Sequence, residues 1–541
     1  MRPQWLYVCL LLAACDQLHV GETEQALTGG GEFSPASFGA LPDDGADDRA
    51  GLQAAVQAAC DAGGGIVRLQ AGLYELSANP QPGASKLESL AIRCSNVRLT
   101  GEGISTVLQA TGDGGAGDWN LVQIRTSPTD PQPVRNIEID NLLLSGSGAW
   151  NTDEQTHLLE IGVGPVESVS LHHLWFYHPV RQKQDLSGNE RGGDCIRIMG
   201  GPDKAVRFTQ ITDSQFLDCD RSSIGFQREV YDTIIDSNVF LTVGDQHIDQ
   251  EPTGEGALGR MVVSNNLFMG GTQGAHSVTL TGNSIAEPSS EIIFSHNVLF
   301  GRGLALLNVQ RAVVSDNVIV ARIATGEGVI QARKANVDVI LRGNHIERAA
   351  GSEPGPVVSV VPHNTGFPSR WKIEGNQLVS AVDGYGLNLE SISNVSISDN
   401  DFALGVSTDG AYALTEDREF TIAGTGPYTA ARNYDFRADS SSSSSVAIRL
   451  MASQGALGNV LINGNRSVGP LAALVQLTPA PYAIGAVSIV GNMASGAATG
   501  ILCKGGGTFT RPIVHTGNYY DGASTSTSDC PSSLALVAQY P

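Results

Sequence analysis

Charge is scarce in this chain. Asp, Glu, Lys and Arg together make up 16% of the residues, against roughly 25% in an average soluble protein. Aromatic residues make up only 6%, while hydrophobic residues reach 41%. That balance excludes a disordered polyelectrolyte, which is richer in charge and poorer in apolar side chains. Basic residues are the scarcer sign, with 33 Lys and Arg against 55 Asp and Glu and a net charge of −22. Such a chain has no general attraction for nucleic acid phosphates or anionic lipid surfaces, so no nucleic-acid partner is expected. No apolar run reaches the 18 or so residues of a membrane-spanning helix. A Walker or Rossmann fingerprint in a strand–helix context is missing. Cysteine and histidine show no CxxC or HxxxH spacing, so a zinc site is not expected. The acidic run Asp43 to Asp48 hints at Ca²⁺ but lacks the EF-hand spacing and its terminal Glu, and no cofactor is expected. Glycine, in contrast, is plentiful, at 64 of 541 residues. A helical bundle would not tolerate that, since each interior Gly costs about 1 kcal/mol against Ala. What remains is a large, glycine-punctuated, β-rich protein.

Arg2 precedes an apolar run from Trp5 to Ala14, too short to span a bilayer and suited to a secretory signal. It ends in Leu12-Ala13-Ala14-Cys15, which resembles a bacterial lipobox. That resemblance implies a signal peptide over 1–14 and a lipidated Cys15 as mature N-terminus, with 15–35 as a tether. The expected location is the bacterial cell envelope, lipid-anchored, at the outer membrane or cell surface. Asp16 leaves the inner membrane open. Export makes the six remaining cysteines candidates for oxidised pairs. Sequence neighbours suggest Cys60 with Cys94, Cys195 with Cys219 and Cys503 with Cys530.

Internal repetition carries the fold. Short β-branched stretches end in Ser, Gly or Asp followed by Asn, at Asn238, Asn266, Asn297, Asn317, Asn344, Asn376, Asn400, Asn433, Asn465, Asn492 and Asn518. Asn141 and His173 are earlier, less regular members. A second, out-of-phase series runs Ile196, Ile224, Ile248, Val278, Leu306, Ile330, Val358, Leu387, Ile448, Val475 and Ile501. The step is near 28 residues, and the long gap from Leu387 to Ile448 has room for two turns. Each repeat therefore holds at least two short strands, with alternation placing one side of each strand inward. Strands at that period without intervening helices predict a solenoid of some 14 turns, about 70 Å long at roughly 4.8 Å per turn. Asn at a fixed turn tolerates a left-handed backbone, and stacked amides bond from turn to turn. Propeller blades repeat at about 40–50 residues, so the spacing disfavours them.

The stretch Phe38-Gly39-Ala40, Asp47-Asp48, Leu52-Gln53-Ala54-Ala55, Gly63-Gly64-Gly65-Ile66-Val67 and Ala71-Gly72-Leu73-Tyr74 resembles the N-terminal segment of the pectate-lyase superfamily. The resemblance extends over residues 36 to about 520. It implies an all-β fold, a single-stranded right-handed parallel β-helix with a short N-terminal capping helix. Asp47 suits the N-cap of a helix from Asp48 to about Ala62, and Gly63 its stop. The expected division is a cap over 36–95 and a β-helix over 96–541. Polygalacturonase-type motifs are not reproduced. Asn151-Thr152-Asp153 lies too far upstream, Asp194 is single, Gly-His-Gly is missing and Arg197-Ile198-Met199 replaces Arg-Ile-Lys. The Asp-Pro-His-Glu string of mannuronan epimerases is also missing, so no catalytic residue is carried over.

One window, residues 189–252, concentrates charge. If Ile196, Ile224 and Ile248 point inward, alternation turns Arg197, Ser223, Gly225, Gln227, His247, Asp249 and Glu251 outward on three successive turns. His247, Asp249, Glu251 and Arg197 are the catalytic candidates. Asp194, Arg221, Gln227 and Arg228 are the substrate-binding candidates. Alternate residues on one strand are about 6.5–7 Å apart, the separation of an inverting glycosidase, which suits Asp249 as general base and Glu251 as general acid. Alternatively, Arg197, Arg221 or Arg228 neutralises a uronate carboxylate while His247 removes the adjacent C5 proton, as elimination or epimerisation requires. A bland reading also fits, because outward charges on a solenoid are usually a solvated face. His276 is expected inward or at a turn. The stretches 179–193 and 403–445 are candidate walls of a groove, and Ser440 to Ser445 reads as a surface loop. The expected function is an exported enzyme, a lyase, epimerase or hydrolase, monomeric and acting on a uronate-containing polysaccharide. The alternative is a non-catalytic glycan-binding or structural envelope rod.

Overall fold

The computed structural model describes residues 30–530 apart from 81–85, 114–117, 128–130, 152–154, 180, 183–192, 202, 253–256, 271–275, 285, 364–365, 405–418, 423–424, 430–444, 480, 506–507, 512 and 522–524. The signal segment, Cys15, Thr152 and Asp153, most of the 179–193 connection and most of 403–445 fall outside the described residues. Among the described residues no helix is long and apolar enough to cross a membrane.

Three strands make each coil, consistent with the expected minimum of two. Strands Val206–Thr212, Gln215–Cys219 and Ser222–Phe226 form one coil. Each pairs in parallel with its counterpart a coil later, Val230–Asp236, Val239–Val243 and Gln246–Gln250. Repetition of that step through the chain gives the right-handed parallel β-helix. Stacking already includes Gly65–Arg68, which pairs with Val97–Thr100. One α-helix, α1 (Arg49–Asp61), buries Leu52, Ala55, Val56 and Ala59 against the end of the rod. Its N-cap position is held by Asp48, not Asp47, and the Asp48 carboxylate accepts from the backbone of Leu41 and Glu75 rather than from the helix itself. The three disulfides are those suggested by proximity: Cys60–Cys94, Cys195–Cys219 and Cys503–Cys530.

The interior is a set of like-on-like columns. Ile196, Ile224, Ile248, Val278 and Leu304 stand in register on successive coils and are buried. Each such side chain contributes about 1.5–3 kcal/mol by leaving water. Phe176, Phe216, Phe240 and Phe268 form an adjacent stack with centroids 4.7, 4.6 and 4.6 Å apart. Leu306, assigned by spacing to the first column, lies two residues beyond its true member Leu304.

At one corner the amide ladder forms as expected. Each Asn, from Asn238 to Asn492, donates its backbone N–H to the side-chain oxygen of the next member, ending at Asn518. Two details differ. The left-handed residue is the one before the ladder Asn, with φ of 57° at Ser237, 56° at Asn265 and 58° at Asp316. Asn141 and His173 are in that left-handed position too, not in the ladder. Asn433, expected as a rung, lies outside the described residues. It is not needed, for Asn400 donates directly to Asn465 across 65 residues of sequence. Likewise Leu387 pairs directly with Ile448. The long gap is one coil with an excursion, not two coils.

Candidate active site

The site lies on the sheet formed by β1 (Ile196–Met199), β2 (Ser222–Phe226), β3 (Gln246–Gln250), β4 (His276–Thr281) and β5 (Gly303–Leu307). Register places Arg197, Gly225, Asp249 and Thr279 side by side on consecutive coils. Gly225 has a steric reason. A Cβ there would lie 2.9 Å from Oδ2 of Asp194, so glycine makes room for that carboxylate.

Asp194 is the hub. It is 2% exposed and accepts from Nε and Nη2 of Arg221 at 2.9 and 2.6 Å. The Ser222 backbone N–H donates to it at 3.2 Å. His157 Nδ1 is 3.4 Å and Arg197 Nη1 3.8 Å from its Oδ2. Burial by itself would raise this carboxyl, but Arg221, His157 and Arg197 outweigh it and hold the pKa below the ordinary value. Cys195 and Cys219 lie just inside the Asp194–Arg221 pair in sequence, and their disulfide ties the two coils together at this point.

Asp249 behaves in the opposite way. It is 7% exposed, not freely solvated as its outward phase suggested. Burial, then the charges of Glu251, Asp194 and Asp245, push its pKa up to about 8. Its carboxyl is therefore protonated at neutral pH. Glu251 lies two residues on and is exposed, with its backbone N–H donating to Phe226 O. Gln227 and Arg228 follow the end of β2, half-buried, at the far end of the strand from Asp194 and Arg221. Arg228 Nε has no hydrogen-bond partner among the described residues.

His247 is a correction. It was expected outward, yet it is 0% exposed and lies 5.7 and 5.8 Å from the rings of Phe240 and Phe268. Its Nδ1 is 3.1 Å from Ser223 Oγ and its Nε2 donates to Met269 O at 3.1 Å. Burial lowers its pKa to about 3. Ser223, also expected outward, is buried with it. At the entry to the strand two consecutive residues, His247 and Ile248, both turn into the core, so strict alternation fails there. His276 is buried, donating Nε2 to Gly328 O at 3.2 Å.

Several site residues escape sequence reasoning. His157 and Gln155 belong to the preceding coil, upstream of residues 189–252, and contact Arg197. Asp245 immediately precedes β3, its pKa raised by burial against the opposing pull of Arg302 and Arg221. Arg302 comes from two coils further on and donates to Asp245 O at 3.1 Å. Following the column one coil back from Ile196, to Leu159, and two coils beyond Ile248, to Leu304, reaches His157 and Arg302. Elsewhere Glu138, Asp140 and His172 converge with metal-like spacing. Arg98 already supplies the cation there, donating to both oxygens of Asp140 at 2.8 and 3.2 Å.

No protein-family description matches the chain. A stretch of 123 residues, 23% of this chain, is 35% identical to mannuronan C5-epimerase AlgE6 of Azotobacter vinelandii and covers 13% of that protein. Another of 52 residues, 10% of this chain, is 52% identical to mannuronan C5-epimerase AlgE4 of the same organism and covers 9% of it. The chain thus spans only a small part of these curated relatives. Among solved structures, the A-module of the AlgE6 epimerase is similar over 90% of this chain and 99% of its own, with TM-score 0.32 and 16% identity. A DFA-IIIase from Arthrobacter chlorophenolicus A6 is similar over 69% and 98%, with TM-score 0.49 and 13% identity. The fold rests on the strand register of the chain itself.

Proposed function

We propose that this protein is a carbohydrate-active enzyme acting on an acidic polysaccharide, with Asp249 as proton donor and Glu251 as proton acceptor. The observation that carries this reading is the contrast between the two carboxyls. Asp249 has its pKa raised to about 8, while Glu251, two residues on, is exposed. Paired carboxyls in unlike environments are how one site supplies both an acid and a base. Alternate residues of an extended stretch stand about 6.5–7 Å apart, which matches the carboxyl spacing that leaves room for a water in inverting hydrolysis. Negative charge on Glu251, Asp194 and Asp245 sustains the protonated form of Asp249 against the pull of Arg221.

A second reading, proton transfer at C5 of a uronate, draws support from the local matches to mannuronan C5-epimerases. His247 is not its base, because the ring is enclosed in the core. Glu251 takes that place. Incubation of the full chain with a panel of polysaccharides distinguishes the outcomes: new reducing ends without unsaturated uronates mark hydrolysis, new reducing ends with unsaturated uronates mark elimination, and inverted C5 signals in NMR without either mark epimerisation. Binding without any of the three supports the non-catalytic glycan-binding rod, and no binding removes the carbohydrate reading. The chain is further proposed to be exported and anchored in the envelope through a lipid on Cys15. Fatty-acid labelling of the wild type but not of Cys15→Ala tests that.

A further inference from the structure

Two residues before each inward member of the Ile196 column stands an edge residue: Asp194, Ser222, Gln246, His276 and Arg302. Most of this row is already committed. Asp194 is taken by Arg221 through two hydrogen bonds, Ser222 gives its N–H to Asp194 and His276 donates to Gly328 O. Two members are not. Gln246 Oε1 is buried with no hydrogen-bond partner among the described residues. Arg302 is 6% exposed, and its hydrogen bond goes to a backbone carbonyl, that of Asp245. Among the described residues no carboxylate is within ion-pairing distance of it.

A buried guanidinium served by a single carbonyl is expensive, since an unsatisfied charged group costs more than the roughly 1–3 kcal/mol of a neutral one. Burial accordingly lowers the Arg302 pKa, offset only in part by Asp245. Arg221 and Arg197 do not share this condition. Both are engaged by Asp194, and Arg197 also by Gln155. Among the described residues the free donor of the row therefore lies at Arg302 and the free acceptor at Gln246, on the same edge and on the coils that flank β4. A sugar acid presents the complement of both, a carboxylate and ring hydroxyls.

Resting on the polysaccharide reading above, we propose that Arg302 is the specificity-determining residue for acidic sugars, receiving a substrate carboxylate, while Gln246 accepts from a hydroxyl of the same sugar. The carboxylate function expected of Arg197, Arg221 or Arg228 thus belongs to a residue two coils beyond the 189–252 stretch.

The test uses the full chain with polygalacturonate and mannuronan, each also in carboxyl-reduced form, and measures affinity by calorimetry alongside melting temperature. Wild type is expected to bind an acidic polymer more tightly than its reduced form. Arg302→Gln weakens binding of the acidic polymer roughly ten- to a hundredfold, the range of a charge-assisted hydrogen bond, and leaves the reduced polymer unchanged. Arg302→Lys, which keeps the charge and guards against a folding defect, retains part of the preference. Gln246→Leu weakens both forms alike. If Arg302→Gln and Arg302→Lys leave the preference intact, or lower affinity for both forms equally, the assignment is overturned while the polysaccharide reading stands. A wild type that binds no polymer in either form overturns the reading itself, and this assignment with it.

Discussion

Two longitudinal rows of polar residues run along this rod, and they obey opposite rules. The amide row repeats one residue type at one position from Asn238 to Asn518, and each side chain is satisfied by the next. The edge of the site sheet changes residue at every coil, from Asp194 through Ser222, Gln246 and His276 to Arg302. Its charges are buried, and carboxyls a coil or two apart are shifted in opposite directions. A third row shows that charge alone does not separate them. Asp232, Arg260, Glu291, Arg311, Asp338 and Arg370 all have left-handed backbones and alternate in sign along the rod. Neighbours pair, as Arg260 does with Asp232 and Arg311 with Glu291. Repetition with every group satisfied marks structure in a solenoid. Broken repetition with groups left over marks a site.

Substitution should separate the rows cleanly. The largest expected effect is at Asp249→Asn, with a rate loss of about 10²–10⁴-fold and no fall in melting temperature, because the amide keeps the neutral charge of the protonated acid. Full activity in this variant would remove Asp249 from the mechanism. Next in size is Asn317→Ala. It strips partners from Asn297 and from Phe294 O and deletes the side-chain bond to Asn344 Oδ1, while the backbone N–H of residue 317 still donates there. Each orphaned buried group costs about 1–3 kcal/mol, so the midpoint of chemical unfolding should fall sharply while the site sheet keeps its chemistry in whatever remains folded.

The pH dependence is smaller and has two signs. The Asp249 pKa rises from 3.8 to about 8 on folding, so its contribution to stability is full below 3.8 and is lost as pH rises through 8. The His247 pKa falls from 6.5 to about 3, so its contribution is full above 6.5 and is lost as pH falls towards 3. The two oppose each other between about 4 and 6.5. Stability should therefore decline from about pH 6.5 to 8, and that decline should vanish in Asp249→Asn. The smallest effect is at the charged row, where Asp232→Asn should cost less than about 1 kcal/mol and less still in high salt.

The fold was legible because a parallel coil must place like residues on like, which prints a period into the sequence. The exact number of strands per coil was not, since two residue series set only a minimum of two and the coil has three. The left-handed backbone was assigned one residue late, since Asn is the visible constant while Ser237, His296, Asp316 and Gly343 vary. At the site, Asp194, Arg197, Arg221, Asp249 and Glu251 were legible as a cluster on one sheet. His247 was not, because consecutive inward residues break the two-residue period at the strand entry. The burial of Asp249 and the condition of Arg302 depend on coils distant in sequence, which no local window contains.

A protonated Asp249 is the central claim, and its carboxyl can be observed directly. Selective carbon-13 labelling of aspartate carboxyls, followed by NMR through a pH titration of wild type and Asp249→Asn, isolates that one signal. A resonance that titrates near pH 8 and disappears in the variant is the predicted result. If every aspartate signal is fully ionised by about pH 5, as ordinary carboxylates are, the acid–base pairing of Asp249 with Glu251 is wrong.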